Sequence, residues 1–361
     1  MTRHSLVLAS ALLALCPALA RGQEVPLPTP EEYAERARKA EAAALFAEQT
    51  PLEVILRTDI SWIRDERSEE EEAEGTLSYK GPDGAEVSLP VKVRARGIFR
   101  RDKRNCNFPP LRLNFAGKQV AGTLFEGQDK LKLVTPCQDS RDNYQQYLLQ
   151  EYLVYRVYQL LTPMSFRVRL VTITYEDPDG GYDPRTKTAF LIEDGEQMAA
   201  RNRATMTEVT QFHPGAMERE QSALVGLFQF MIGNTDFSTA YFHNSTMIRD
   251  QDGRFLVVPY DFDWSGVVDA RYAVPDPRLE IRDVTQRIFR GFCEEGVDQE
   301  ALKSRFNEQR EAIGALYEGM DGLDEDGRTR AIEYYGKFFE IINDPRRYER
   351  EVLRACQEIP S

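Results

Sequence analysis

The sequence predicts an α+β protein whose first half is rich in β-strands and whose second half is mostly helical. From about residue 52 to residue 135, apolar and polar residues alternate in short runs, and a "GPDG" turn separates two of them. The segment "QQYLLQEYLVYRVYQLL" at 145–161 is apolar almost all round, which predicts a buried helix. From residue 218 onward the pattern is helical, except for a hairpin predicted around "QDG" at 251–253.

The first residues have the composition of an export signal. Arg3 precedes an apolar run from Ser5 to Cys16, and "ALA" at 18–20 offers a small-residue cleavage site. We therefore predict a signal peptide at 1–22 and an exported protein, periplasmic or extracellular. The apolar run is too short for a membrane anchor, so no transmembrane segment is expected. Lipid attachment at Cys16 is the alternative.

Three segments follow the predicted signal peptide. Residues 23–75 read as a linker, a short helix and the acidic loop "RSEEEEAEG". Residues 76–194 are predicted to form a β-rich N-lobe with one central helix. Residues 195–361 are predicted to form a helical C-lobe with a catalytic loop and a metal-binding hairpin.

Four cysteines remain after signal removal, which suggests two disulfides in an oxidising compartment. Three pairings are possible, and we expect Cys106–Cys137 together with Cys293–Cys356. The formal net charge of -13 argues against nucleic acid or an anionic membrane as a partner.

Two aspartates close the apolar run in "VVPYDFDWSG" at 257–266. Side chains alternate faces along a strand, so Asp261 and Asp263 should point the same way while Phe262 points into the fold. Two carboxylates on one face need a neighbouring cation, which a metal ion or a lysine can supply, or else contact only water.

A glutamate lies in the apolar sector of the predicted central helix. At 100° per residue, Glu151 has apolar or aromatic neighbours, and a carboxylate there must find a cation or raise its pKa. The basic residues of the preceding strands are candidates, Lys132 and Arg112 above the rest. One alternative is that Glu151 reaches solvent at a helix edge. Another is that the basic residues of these strands form one face of the sheet that is only solvated.

The loop "GNTDFSTAYFHN" at 233–244 carries Asn234, Asp236, His243 and Asn244. The features of this region occur in the order helix, loop with an aspartate, asparagine, hairpin and Asp-Phe-Asp. This order is typical of a metal-dependent phosphotransfer site. Such a site needs a carboxylate near the attacking hydroxyl, oxygen ligands for magnesium, and a basic residue on the phosphates. Asp236 suits the first role, and Asn244 with Asp261 the second. Lys132 or Arg112, positioned by Glu151, suits the third, and Asp263 would support the metal.

The segment from about 91 to 292 resembles the CotH family, the atypical protein kinases first associated with spore coats. The resemblance rests on these stretches: "VKVRARGIFRR", "FPPLRLNF", "LKLV", "YLLQEYLVYRVYQLLTP", "SFRVRLVTITYED", "FLIED", "MIGNTDFS…HN" and "VPYDFDWSG". It implies a two-lobed, kinase-like fold that binds ATP with Mg²⁺ or Mn²⁺ and phosphorylates protein hydroxyl groups in the cell envelope or outside the cell. Asp236 would be the catalytic aspartate and Asp261 the metal ligand. Glu193 and Asp194 would lie where the lobes join and the adenine docks.

The chain departs from the family pattern in the spacing of Asp236 and Asn244, which are eight residues apart, and in the strand that should hold the phosphates. The strand "FPPLRLNF" offers Arg112 where the family has a lysine-containing stretch, so the residue that holds the phosphates stays open. Two alternatives to a kinase also stay open: an inactive binding or scaffold protein, and a nucleotidyl transferase. The acceptor and the oligomeric state do not follow from the sequence.

Overall fold

The computed structural model describes residues 27–360. The predicted signal peptide, with Cys16, lies outside these residues. The strands are β1 Leu52–Thr58, β2 Ala73–Lys80, β3 Glu86–Ala95, β4 Leu111–Asn114, β5 Lys130–Val134, β6 Val168–Glu176, β7 Arg185–Ile192, β8 Ala204–Met206, β9 Ser245–Asp250 and β10 Phe255–Pro259. The helices are α1 Pro30–Glu41, α2 Ile60–Glu66, α3 Gly117–Val120, α4 Asp142–Leu161, α5 Gly195–Arg201, α6 Arg219–Ile232, α7 Gln299–Glu308, α8 Arg310–Glu318, α9 Glu325–Asn343 and α10 Pro345–Tyr348.

The first seven strands form a closed barrel in the order β1-β2-β3-β4-β5-β7-β6. Neighbouring strands are antiparallel except at the closure, where β1 pairs in parallel with β6. Apolar side chains of alternating positions fill the interior, as in β3, where Leu89, Val91, Val93 and Ala95 are buried. Charged side chains of the same strand, Lys92 and Arg94, therefore face outward.

The predicted two-lobed, kinase-like fold with a β-rich N-lobe is wrong. The barrel closes because β1, at Leu52–Thr58, pairs with β2 on one side and β6 on the other. This strand falls in the segment 23–75, which the sequence predicted as linker, short helix and acidic loop. Local alternation identifies a strand but does not say that it will join the two ends of a sheet. The domain boundaries at 75 and 194 stay predictions.

A second, larger core joins the remaining elements. Helix α4 lies against β6 and β7 of the barrel and against α8, and its apolar residues pack with those of α6, β9, β10 and α9. Strands β8, β9 and β10 form a separate sheet in the order β10-β9-β8. The predicted burial of the central helix and the hairpin around residues 251–253 are thus confirmed. Helix α4 contributes Glu151 and Tyr155 to the cleft described below.

Both predicted disulfides are present, Cys106–Cys137 and Cys293–Cys356. The first ties the loop after β3 to the loop after β5, next to Tyr144 of α4. Among residues 27–360, no helix is both long enough and apolar enough to cross a membrane.

Candidate active site

One cleft of about 500 Å³ collects six of the nine predicted site residues. Its walls come from the loop after β3, the outer face of the barrel at β5, helix α4, the loop after α6 and the segment after β10. The six predicted residues in its lining are Lys132, Glu151, Asp236, Asn244, Asp261 and Asp263. They come from four separate parts of the chain, so the fold alone brings them together.

The loop after α6 holds the Asp236 carboxylate from two sides. Helix α6 ends at Ile232 and is capped by Gly233, which has a positive φ of 65°, a conformation that favours glycine. The Asn244 Nδ2 atom donates to Asp236 Oδ2 at 3.0 Å and to the Asp236 carbonyl oxygen at 2.7 Å. His243 Nε2 lies 2.9 Å from Asp236 Oδ1, and this hydrogen bond raises the pKa of His243. Asp236 is therefore fixed at the cleft edge with its carboxylate still partly exposed.

Asp261 lies in a turn, one residue removed from the end of a strand. Strand β10 ends at Pro259, so strand alternation does not explain where the two aspartates point. Asp261 has a φ of 63°, a region in which aspartate is among the better-tolerated residues. Its N–H donates to the Tyr155 hydroxyl of α4 at 2.9 Å. Phe262 is fully buried, as predicted, with its ring 4.7 Å from that of Tyr155.

Behind Asp261, two further carboxylates share one arginine. Arg100 Nη1 lies 3.6 Å from Glu151 Oε2 and 3.9 Å from Asp263 Oδ2, and the Tyr272 hydroxyl donates to Asp263 at 2.9 Å. Burial, followed by the negative charge of Asp261, raises the pKa of Asp263 to about 7. Burial and then the Asp263 charge raise the pKa of Glu151 well above its ordinary value. The cation that partners Glu151 is thus Arg100, in place of the expected Lys132 or Arg112.

Lys132 projects from the outer face of β5 into the cleft. Its Nζ lies 4.5 Å from the centre of the Tyr260 ring and 5.6 Å from that of Phe166. Burial, followed by repulsion from Arg96, lowers the pKa of Lys132 to about 7. The predicted basic strand face exists, because strand register sets Arg94 beside Arg112 and Arg112 beside Lys132. An anion bound here would relieve the repulsion between these cations.

Three predicted site residues lie outside the cleft lining. Arg112 is half-buried on β4, one strand away from the cleft, and its Nε has no hydrogen-bond partner in the described part of the chain. Glu193 is buried in an ion pair with Arg201, at 2.9 Å, and accepts from the Arg167 N–H. Asp194 caps the N-terminus of α5 by accepting from the Glu196 N–H at 2.9 Å. Both acidic residues therefore have structural partners.

Sequence reasoning missed Arg100, Tyr155 and Tyr272. Arg100 follows Gly97, whose φ of 85° turns the chain at the end of β3 and carries the arginine back toward α4. The glycine of the motif "RARG", at the end of a basic strand, was the sequence signal for this turn. No spacing rule connects that turn with Glu151 or Asp263, which lie far along the chain.

The donor set fits one mode of metal binding. No cluster of three or more His, Cys, Asp or Glu side chains suited to a metal ion lies within residues 27–360. Magnesium at phosphate sites is held by one or two carboxylates together with phosphate oxygens and water, with no all-protein cage. Asp261 and Asn244, whose Nδ2 already donates to Asp236, offer oxygens for that mode. Asp263 is buried and engaged with Tyr272 and Arg100, which suits a supporting role.

Comparison of the chain with protein-family models, with curated proteins and with solved structures finds no match.

Proposed function

We propose that this protein is an exported phosphotransferase that moves the γ-phosphoryl group of ATP, with Mg²⁺ or Mn²⁺, to a hydroxyl group of a protein. The observation that carries the proposal is that Asp236, Asp261 and Lys132 line one cleft. A carboxylate for the acceptor, an oxygen ligand for a metal and a cation for phosphate are the three parts that phosphoryl transfer requires. The resemblance to the CotH family, which rests on the sequence motifs alone, implies the same chemistry.

Each residue has a stated task in the proposed reaction. Asp236 orients the acceptor hydroxyl and accepts its proton while the hydroxyl oxygen bonds to the γ-phosphorus. The bond between that phosphorus and the β–γ bridging oxygen breaks, and ADP leaves with the electron pair. Lys132 holds phosphate oxygens, and Asp261 with Asn244 would hold the metal. The bound metal would neutralise charge on the phosphates.

Arg100 and Glu151 have a supporting part in this proposal. They form a buried ion pair beneath the cleft, and Arg100 also lies within 3.9 Å of Asp263. The arginine keeps the loop after β3 against α4 and so fixes the wall opposite Asp236. Export agrees with the two disulfides and with the predicted signal peptide.

The first test is thermal unfolding of the mature protein with ATP, with Mn²⁺, and with both. A ligand at 100 times its dissociation constant adds about 2.7 kcal/mol to the free energy of unfolding, a rise of several degrees in Tm. We expect the rise only with both ligands, and we expect Asp261→Asn to abolish it. Asparagine tolerates the positive φ at this position, so the variant removes charge without new backbone strain.

Asp269→Asn is the matched control. Asp269 also has a positive φ, 50°, and lies outside the cleft lining, so this variant should keep the full rise. If ATP and Mn²⁺ at millimolar concentration leave Tm unchanged, ATP-dependent phosphotransfer is ruled out. Binding without label transfer from ATP would indicate a binding protein. Transfer from α-labelled but not γ-labelled ATP would indicate a nucleotidyl transferase.

A further inference from the structure

The three most exposed large apolar side chains in the described part of the chain surround the candidate active site. Ile98 is 88% exposed, Tyr241 72% and Val274 60%, whereas the other exposed large apolar residues of that part reach 40% at most. Ile98 lies in the lining of the cleft, in the loop after β3. Tyr241 lies in the loop that carries Asp236 and His243. Exposed apolar groups gathered around a site are typical of a surface that binds another molecule.

Val274 belongs to a second chamber that adjoins the first. This chamber has a volume of about 460 Å³ and shares Asp236, His243 and Trp264 with the cleft. Much of its remaining lining is apolar: Phe237, Val274, Pro275, Pro277 and Val284. A molecule that fills both chambers must pass the Asp236 carboxylate.

The charged groups of the second chamber already have partners. Arg278 Nε donates to both carboxylate oxygens of Asp276 at 3.0 Å. Arg290 donates to the carbonyl oxygen of Thr235 and lies over the Phe237 ring, 5.6 Å from its centre. Arg278 is paired with Asp276 and Arg290 already donates to backbone oxygens, and the apolar lining residues therefore favour an uncharged, apolar portion of ligand in this chamber.

We propose that the second chamber, together with an apolar rim formed by the exposed side chains of Ile98, Tyr241 and Val274, binds a polypeptide acceptor whose serine or threonine hydroxyl reaches Asp236. An apolar side chain near that hydroxyl in the acceptor sequence fills the space beside Val274. The inference rests on the proposed function and adds where its acceptor binds and which kind of flanking residue it prefers. Chambers of about 500 and 460 Å³ on either side of Asp236 suit the nucleotide on the Lys132 side and several residues of extended peptide on the other. A membrane surface is the weaker fit, because the chain carries a net charge of -13.

The test uses a library of serine- and threonine-centred peptides in which each flanking position is fixed in turn. The mature protein is incubated with the library, Mn²⁺ and γ-labelled ATP. We expect strongest labelling when one flanking position is Leu, Ile, Val or Phe, and weakest when the same position is Asp or Lys. For the best peptide, Val274→Ser should raise KM roughly five- to tenfold, since it removes apolar contact area. The KM for ATP should not change.

Val209→Ser is the matched control, because Val209 is an exposed valine outside both chambers. It should leave the peptide KM unchanged. The ATP-dependent rise in Tm is measured for all three proteins, so that nucleotide binding is scored apart from acceptor binding. If the unmodified protein shows no ATP-dependent rise in Tm, both the proposed function and the acceptor groove are overturned.

Three other outcomes overturn the acceptor groove alone, and a fourth also overturns the protein acceptor of the proposed function. The first is labelling of peptides without an apolar preference. The second is an unchanged peptide KM in Val274→Ser while ATP still binds. The third is sedimentation of the protein with neutral phosphatidylcholine vesicles, which would assign the apolar rim to a membrane surface. Failure to label any peptide, with ATP bound, is the fourth outcome, because it excludes a polypeptide acceptor and with it the protein substrate of the proposed function.

Discussion

Arg100 and Glu151 form a buried ion pair between the loop after β3 and the middle of α4, with Arg100 Nη1 at 3.6 Å from Glu151 Oε2. The arginine side chain is 11% exposed and the glutamate side chain 2%. Arg100 also donates to the carbonyl oxygen of Thr135, at the end of β5. One side chain thus connects three parts of the chain, which are the loop after β3, helix α4 and the end of β5.

Replacing Arg100 should strongly destabilise the protein. At a pH above about 7, where Asp263 is ionised, Arg100→Gln leaves the buried carboxylates without their cation, and loss of one partner of a buried pair costs about 3–5 kcal/mol. Urea unfolding followed by circular dichroism measures the change. Adding Glu151→Gln should recover part of the loss, because the stranded charge is then removed.

Arg104→Gln is the control for Arg100→Gln. Arg104 lies in the same loop, but its side chain is 88% exposed and pairs with Asp102 on the surface. An exposed pair of this kind contributes little, so the variant should stay within about 0.5 kcal/mol of the parent. Equal losses of unfolding free energy in Arg100→Gln and Arg104→Gln would show that the buried pair contributes no more to stability than the exposed pair.

The pKa of Asp263 should make stability fall with rising pH. This carboxyl ionises near pH 3.8 in the unfolded chain and near pH 7 in the folded protein. Between these values the folded protein keeps a proton that the unfolded chain has released, so the free energy of unfolding decreases as pH rises. Asp263→Asn cannot ionise. Its stability relative to the parent should therefore increase from about pH 4 to pH 7 and then level off.

Urea unfolding at intervals between pH 4 and pH 8 measures this difference. Asp252→Asn, at an exposed hairpin turn, corrects for the general loss of one negative charge. A constant difference between Asp263→Asn and the parent across the whole range would contradict the raised pKa.

Tyr155 should matter for metal and nucleotide binding although it carries no charge there. Its hydroxyl accepts the Asp261 N–H, which Tyr155→Phe leaves without that partner at a cost of about 1–3 kcal/mol. The freed turn should also hold Asp261 less well, so the rise in Tm with ATP and Mn²⁺ should shrink. Differential scanning fluorimetry with and without the ligands measures both effects.

Tyr158→Phe provides the comparison on the same helix. The Tyr158 hydroxyl accepts from Gln221 Nε2, which also donates to the Val257 carbonyl oxygen and so keeps one partner. This variant should retain the full response to ATP and Mn²⁺. If the two phenylalanine variants respond alike, the Tyr155 hydroxyl does not position Asp261.

His243 should have a raised pKa that depends on Asp236. The hydrogen bond to Asp236 favours the protonated ring, which raises the pKa of His243 above its ordinary value of 6.5. An NMR titration of the imidazole signals measures this value. Asp236→Asn removes the carboxylate and should return the pKa of His243 toward 6.5. His213, which instead contacts the Pro360 carbonyl oxygen, supplies the reference signal, and an unchanged His243 titration would exclude the pair in solution.

The sequence located most of the candidate site because the signals were local. Gly233 stops α6 and opens the Asp236 loop, and the apolar sector around Glu151 buries that glutamate in α4. The orientation of Asp261 was predicted from the alternation of side chains along a strand. That reason does not apply, because β10 ends before Asp261. A turn with a positive φ and a hydrogen bond to Tyr155 fixes Asp261 there. The motif identified the residue, and long-range contacts determine its orientation.

The sequence by itself predicted a strand-rich first half and a helical second half, the burial of α4 and the acidic residues that line the cleft, and it favoured one of three disulfide pairings, which the structure contains. These follow from periodicity, glycine stops and residue chemistry, which act over a few neighbouring positions. Only the tertiary structure decided that β1 closes the barrel against β6 and that Arg100 is the partner of Glu151. It also decided that the Arg167 N–H, 26 residues away along the chain, donates to Glu193. Each of these depends on which distant segments meet, and that is set by the packing of the whole chain.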